Sequence, residues 1–195
     1  MSLHHDKEYW ETRWQKNETG WDIGHPSTPL QNYFEQLENK ELKILIPGAG
    51  NAYEAEALHH LGFTNVWVVD IAPGAIDKFE TRVPDFPKAH LVCANFFELN
   101  DQFDIMIEQT FFCALSPTER EKYCIKTQEL LKPGGKLVGL LFNIELFKDH
   151  PPYGGNADEY RPLFEKYFSI ELMEESHNSI DPRSGNELFI KMIKE

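Results

Sequence analysis

The sequence predicts an α/β fold: an open, mostly parallel, doubly wound sheet that ends in an antiparallel hairpin and is preceded by a helical arm. Three observations predict it. Short apolar runs alternate with segments of helical periodicity from residue 42 to residue 142. A Pro-Gly-Ala-Gly turn, Pro47 to Gly50, closes the first apolar run. Two alternating segments with no helix between them end the chain.

The arm comes first. Residues 6–17 read as a helix capped by Asp6, with Tyr9, Trp10, Arg13 and Trp14 along one side. A polar turn from Thr19 to Pro26 follows. Residues 29–38 begin with Pro29 and repeat Leu30, Tyr33, Phe34 and Leu37 at helical spacing. Residues 42–46 are then an apolar run between charge and Pro-Gly, which is the signature of a buried strand. Residues 53–61 are helical and end at Gly62. Residues 66–69 form a second strand that reaches Asp70, and residues 73–82 form a helix with Pro73 at its start. Residues 89–93 and 103–107 are the third and fourth strands.

Ser116-Pro117-Thr118-Glu119 carries a capping box with proline at the first helical position. The helix it opens is expected to run to Lys132 and to stop at Pro133-Gly134-Gly135. Residues 136–142 are the fifth strand, and residues 158–167 are helical. Residues 168–173 and 187–193 alternate as antiparallel strands around a loop at residues 181–186.

The totals bound the function. A length of 195 residues fits one domain, residues 1–195, divided into an arm or lid at 1–40 and an α/β core at 41–195. No apolar run reaches the ~18 residues of a membrane span. Met1 to His5 lack the apolar centre of a signal peptide, so none is expected. A net charge of −13 argues against nucleic acid and anionic membranes as partners. Cys93, Cys113 and Cys124 are odd in number and lack CxxC spacing, which fits a reducing cytoplasm. The histidine pairs His4-His5 and His59-His60 are adjacent, so neither converges on one ion from a helix, and no metal site is expected.

The site is expected at the carboxyl ends of the first strands. Gly48 and Gly50 let backbone approach a ligand, or else simply serve a tight turn with positive φ. A dinucleotide fingerprint needs a small residue three positions after the second glycine, and Tyr53 stands there instead. That favours a ligand without a pyrophosphate. Asp70, twenty residues past Gly50, suits the two ribose hydroxyls of an adenosine, or caps the following helix. Asn95 and Phe96 follow the third strand, where an adenine ring would sit; a plain loop is the alternative. Trp10, Trp14 and Trp21 are three of the four tryptophans in the chain. Their faces attract a cation such as a sulfonium, or they pin the arm by apolar burial.

Leu130 to Val138 and the strand Phe103-Asp104-Ile105-Met106-Ile107 together resemble the class I, Rossmann-like S-adenosylmethionine-dependent methyltransferases. Trp10, Trp14 and Trp21, with Gly20-Trp21-Asp22-Ile23-Gly24, resemble the N-terminal signature of the thiopurine methyltransferase superfamily. Gln109 to Pro117 (QTFFCALSP), Pro151-Pro152-Tyr153 and Glu159-Tyr160 resemble its thiol/halide methyltransferase group, the "harmless to ocean life" group. The resemblance implies S-adenosyl-L-methionine as cofactor, S-adenosyl-L-homocysteine as product, and cofactor contacts at Trp10, Trp14, Trp21, Gly48, Asp70, Asn95, Phe96 and Gln109. Gly50 joins them through the turn. Asn95 stands where the family commonly has Asp, and Gln109 where it has Tyr. Gly154-Gly155-Asn156 replaces a bulkier loop.

The expected reaction is in-line transfer of a methyl group to a small soft nucleophile: a thiol, hydrosulfide, thiocyanate or a halide. Soft acceptors need little proton chemistry, which suits a chain without a Ser/His/Asp set or a carboxylate pair. Tyr153 and Arg161 are the substrate-side candidates, and Cys113 reads as a small buried residue. The rival readings are a methyltransferase for thiopurine-like aromatic thiols or for oxygen or nitrogen acceptors, and a non-catalytic nucleotide-binding protein. A monomer or weak homodimer is expected.

Overall fold

The computed structural model describes residues 5–195, so His4 and its pairing with His5 lie outside the described residues. Two compact units divide the described chain, 5–99 and Asn100–Glu195.

The N-terminal unit begins with α1 (Lys7–Gln15), where Asp6 Oδ1 accepts the Tyr9 N–H at 3.0 Å as the expected cap. Next is α2 (Thr28–Glu35), with Pro29 in its first turn and Leu30 and Phe34 buried. It stops three residues before the expected end. Strand β1 (Ile44–Pro47) is buried along its whole length, as its unbroken apolar run requires. α3 (Tyr53–His60), β2 (Val66–Asp70) and α4 (Pro73–Arg82) follow within a residue or two of the expected bounds. The third strand, β3 (Leu91–Cys93), is shorter than expected, because Lys88–His90 form a 3-10 turn. The three strands are parallel in the order β3-β2-β1, with Ile46 opposite Val68 and Asp70 opposite Cys93.

The C-terminal unit holds β4 (Phe103–Gln109), α5 (Arg120–Leu130), β5 (Leu131–Phe142), α6 (Ala157–Phe164), β6 (Ser169–Glu175) and β7 (Glu187–Ile193). β4 and β5 are parallel; β7 runs antiparallel between β5 and β6. The mostly parallel α/β class with an antiparallel finish is therefore as the sequence predicts. The Ser116/Glu119 capping box is present, although the turn it opens, Pro117–Glu119, is a 3-10 turn ahead of α5.

The largest departure from expectation is the start of β5. The helix ends at Leu130, not Lys132, and Pro133-Gly134-Gly135 lies inside β5. Leu131 already has extended backbone and pairs with Phe103, and the ladder resumes at Ile105 and Lys136. The proline and glycines thus form an irregularity within the strand. Lys132, preceding a proline, is biased away from helix in any case.

Among the described residues, no helix is long and apolar enough to cross a membrane, and no group of three His, Cys, Asp or Glu side chains is disposed to hold a metal ion.

Candidate functional site

β1 runs straight into the turn at Gly48-Ala49-Gly50. Gly48 and Gly50 have φ of 54° and 55°, a region open to glycine at little cost. Close approach adds a second constraint at Gly50. A Cβ there would stand 3.3 Å from Trp21 Nε1 and 3.9 Å from the Trp14 ring. The positive-φ reading of the turn is thus met at both glycines, and the close neighbours of Gly50 are the tryptophans of the arm.

Asp70 ties this turn to the end of β2. The Gly50 N–H donates to Oδ2 at 2.9 Å and the Ala72 N–H to Oδ1 at 2.8 Å. Burial pushes the carboxyl up from its ordinary value, opposed by these backbone donors. A carboxylate offers about four lone-pair sites, so capacity for further donors remains. The Ala94 N–H donates to the Asp70 carbonyl at 3.0 Å, which brings the end of β3 alongside.

Asn95 follows. Its Oδ1 accepts the Phe97 N–H at 3.0 Å and caps the turn at Phe96–Glu98, so the amide nitrogen is the group left to donate. Phe96 is buried.

The arm packs against the same turn and the start of α4. Trp14 is buried with Ala72 and Ala75, and Trp10 and Trp21 pack on that cluster. The Trp21 ring meets Trp10 and Trp14 edge-on at 5.6 and 5.9 Å. The Gly74 N–H donates to Glu11 Oε2 at 2.9 Å. Asp22 bridges two further points: its Oδ1 accepts the Gly24 N–H at 2.8 Å, and its Oδ2 accepts Asn51 Nδ2 at 2.6 Å. Sequence reading missed Glu11, Asp22 and Asn51 as fasteners of the arm. Their partners are too distant in the chain for spacing to show. Tyr53, the residue that counts against a dinucleotide, opens α3 with the Arg82 guanidinium 4.6 Å from its ring centre.

In the C-terminal unit Gln109 ends β4, and its Oε1 is buried without a hydrogen-bond partner. Such an atom costs about 1–3 kcal/mol unless something donates to it. Beside it, wholly buried Glu108 accepts the Phe111 and Phe112 N–H groups, both at 2.8 Å on Oε1, and the Tyr123 hydroxyl at 2.7 Å on Oε2. Burial pushes the Glu108 carboxyl up to about 7. Thr110, between them, sits at φ 58°. Sequence reading passes over Glu108, which follows the apolar run Ile105-Met106-Ile107 with no local pattern to mark it as buried.

Tyr153 is buried, and its N–H donates to the Cys113 carbonyl at 2.7 Å. Arg120 Nη2 donates to the Gly154 carbonyl at 2.7 Å, and its guanidinium lies 4.8 Å from the Phe112 ring centre. The structure thus joins Gln109, the 110–113 turn and Tyr153. It does not bring Arg161 to them. Arg161 lies on the exposed side of α6, with the Met173 carbonyl at 3.4 Å and Glu165 at 4.0 Å. Cys113 is buried, and its thiol is pushed up to about 12.

Residues 5–195 match the family model described as thiopurine S-methyltransferase. A probable thiol methyltransferase 2 from Arabidopsis thaliana is 29% identical over 189 residues, covering 91% of this chain and 81% of its own. Thiocyanate methyltransferase 1 from Brassica oleracea is 30% identical with the same coverages. A thiopurine S-methyltransferase from Acinetobacter baylyi is 24% identical, covering 92% and 93%. Among solved structures, a Burkholderia thailandensis 1,6-didemethyltoxoflavin-N1-methyltransferase with bound 1,6-didemethyltoxoflavin and S-adenosylhomocysteine gives a TM-score of 0.78 at 15% identity, covering 96% of this chain and 86% of its own. A magnesium protoporphyrin IX methyltransferase from Synechocystis with bound S-adenosylmethionine gives 0.74 at 12% identity, covering 97% and 95%. These likenesses show the Rossmann-like class I methyltransferase fold. With the family model spanning nearly its whole length, the chain belongs to the thiopurine S-methyltransferase family and is a methyltransferase.

Proposed function

We propose that this chain transfers the methyl group of S-adenosylmethionine to a small soft nucleophile: a thiol, hydrosulfide, thiocyanate or a halide. The observation that carries the reading is the tryptophan arm packed on a glycine turn that is itself pinned to Asp70. The thiol and thiocyanate methyltransferases among its relatives support the acceptor class.

S-adenosylmethionine supplies an electrophilic methyl on a sulfonium centre. The chain has residues whose chemistry fits that group. Asp70 retains acceptor capacity for ribose hydroxyls, and Gly48 and Gly50 leave backbone free of side chains. Asn95 and Phe96 offer a donor and an apolar wall for adenine. Trp10, Trp14 and Trp21 present aromatic surface to a cation. The unpartnered Oε1 of Gln109 takes a donor such as an ammonium. Residues 1–40 act as the lid of a single domain and exclude water. Tyr153 and Arg161 are the acceptor-side residues in this reading; buried Tyr153, tied to the 110–113 turn, has the stronger support. A thiol acceptor has a pKa near ~8.5 and must ionise before attack.

A net charge of −13 supports a small-molecule acceptor over nucleic acid or a membrane surface. Three cysteines without disulfides support a reducing cytoplasm. The protein works as a monomer or weak homodimer.

The test is turnover of labelled cofactor with hydrosulfide, thiocyanate, iodide, thiopurines and phenols. Methylation of the first three is expected. Turnover of thiopurines alone would move the chain toward its bacterial relatives, and turnover of phenols alone would end the soft-acceptor reading. Calorimetry with S-adenosylhomocysteine separates an enzyme from a protein that binds no cofactor.

A further inference from the structure

Glu108 is a wholly buried carboxylate that the proposed transfer does not use. Its two oxygens nonetheless hold three donors. Oε1 takes consecutive backbone N–H groups, Phe111 and Phe112, and Oε2 takes the Tyr123 hydroxyl. They hold the start of the turn at residues 110–113, which goes on to make its own backbone bond from the Ala114 N–H to the Phe111 carbonyl at 2.9 Å. Thr110 enters it at φ 58°, a left-handed conformation disfavoured for a β-branched residue.

β5 runs close against the backbone and Cβ of residue 108. Gly139 is the register partner of Glu108, and a Cβ on Gly139 would overlap the Glu108 carbonyl oxygen, Cα and Cβ. Glycine in mid-strand weakens a strand, so its presence here marks a close approach that the fold retains. The far side of the turn is equally connected. The Cys113 carbonyl accepts the Tyr153 N–H at 2.7 Å, and Arg120, over the Phe112 ring, donates to the Gly154 carbonyl at 2.7 Å.

We infer that Glu108 is a positioning residue for the acceptor side of methyl transfer: it fixes the 110–113 turn and, through the Cys113 carbonyl, the segment that carries Tyr153. The inference rests on the proposed function. Glu108 touches neither cofactor nor acceptor in this role; it sets where Tyr153 stands. An uncharged side chain of similar volume would avoid the desolvation of a buried carboxylate. No uncharged apolar group, though, would accept two successive N–H groups and a hydroxyl.

Two substitutions separate positioning from packing. In Glu108→Gln the amide oxygen still accepts both N–H groups; in Glu108→Leu neither is accepted. Both are assayed for kcat/KM with thiocyanate and hydrosulfide, for S-adenosylhomocysteine affinity by calorimetry, and for urea unfolding. Glu108→Gln is expected to unfold cooperatively and to stay within about threefold of wild type in acceptor kcat/KM and S-adenosylhomocysteine affinity. Glu108→Leu is expected to unfold cooperatively and bind S-adenosylhomocysteine within about threefold, while kcat/KM for the acceptor falls about 100-fold, as a misplacement of about 1 Å would cause. Should Glu108→Leu fail to fold, Tyr123→Phe, which removes one donor and keeps the ring, decides: a loss in acceptor kcat/KM without a loss in cofactor affinity is expected. Wild-type acceptor kinetics in Glu108→Leu, or in Tyr123→Phe where that variant decides, overturns the inference and leaves the proposed function standing. An equal loss of cofactor affinity and turnover overturns it likewise. A wild-type chain that methylates none of the acceptors overturns the proposed function first.

Discussion

Gly74 and Glu11 join the arm to the start of α4 across sixty-three positions of chain: the Gly74 N–H donates to Glu11 Oε2 at 2.9 Å. α4 has no side-chain cap of its own, since Ala72 occupies its N-cap position. The arm therefore supplies the carboxylate that a helix N-terminus favours. Glu11→Ala is expected to lower the unfolding free energy by about 0.5–2 kcal/mol, as loss of a cap does, and to loosen the arm. Urea unfolding followed by tryptophan fluorescence checks both. Unchanged midpoint and emission would mean that the tryptophan packing and the Asp22–Asn51 bond dock the arm without Glu11.

Trp14 and Trp10 should respond differently to truncation. Trp14 is buried on Ala72 and Ala75, whereas Trp10 is only partly buried. Trp14→Ala is expected to cost about 3–5 kcal/mol through the cavity it leaves. Trp10→Ala should cost much less and report more directly on cofactor affinity. Equal stability losses in the two variants would contradict this division.

Asp70→Asn tests the carboxylate at the head of the turn. An amide has one oxygen, so it cannot accept both the Gly50 and Ala72 N–H groups on separate oxygens as Asp70 does. The substitution is expected to cost about 1–3 kcal/mol of stability and to weaken S-adenosylhomocysteine binding by at least about tenfold. Calorimetry with unchanged affinity would remove the ribose role and leave Asp70 a turn residue.

Much of this was legible in the sequence, for identifiable reasons. α4 and β7 were read to the residue because Pro73 opens one and the Asn186 turn bounds the other. Gly50 and Asp70 were found because a strand–turn–helix–strand unit brings their strand ends together, and the structure joins them directly. Pro133-Gly134-Gly135 reads as a helix stop in the sequence, yet the pairing of Leu131 with Phe103 begins β5 before it. Glu108 and Glu11 were invisible for another reason. Each makes sense only through partners brought close by tertiary packing, and no local pattern marks a carboxylate as buried.

The three cysteines should differ in reactivity. Cys93 is exposed; Cys113 and Cys124 are buried, and burial pushes both thiols up to about 12. The thiolate is the reactive form, so neither buried thiol supplies much of it at neutral pH. A maleimide is expected to modify one site per native chain, at Cys93, and three after denaturation. Mass spectrometry counts them. Fast native labelling at Cys113 would show that the 110–113 turn opens.

Glu108 should make stability depend on pH with a definite sign. Its carboxyl is near 7 in the folded chain, against 4.5 for an ordinary glutamate. Between those values the native state keeps a proton that the unfolded state has released, so stability falls as pH rises through that window and levels off above about 7. The shift corresponds to at most about 3 kcal/mol between pH 4 and pH 8. The groups around it do not mask this. Tyr123 and Cys113, both pushed up by burial, titrate above the window. Asp70, also pushed up by burial, contributes with the same sign and remains in every variant of Glu108. The difference between wild type and Glu108→Gln therefore isolates one carboxyl. Urea midpoints at pH 5 and pH 8 are expected to drop further for wild type than for Glu108→Gln, with the variant gaining on wild type as pH rises. Parallel drops in the two proteins would mean that Glu108 ionises at its ordinary value and that its three donors fully offset its burial.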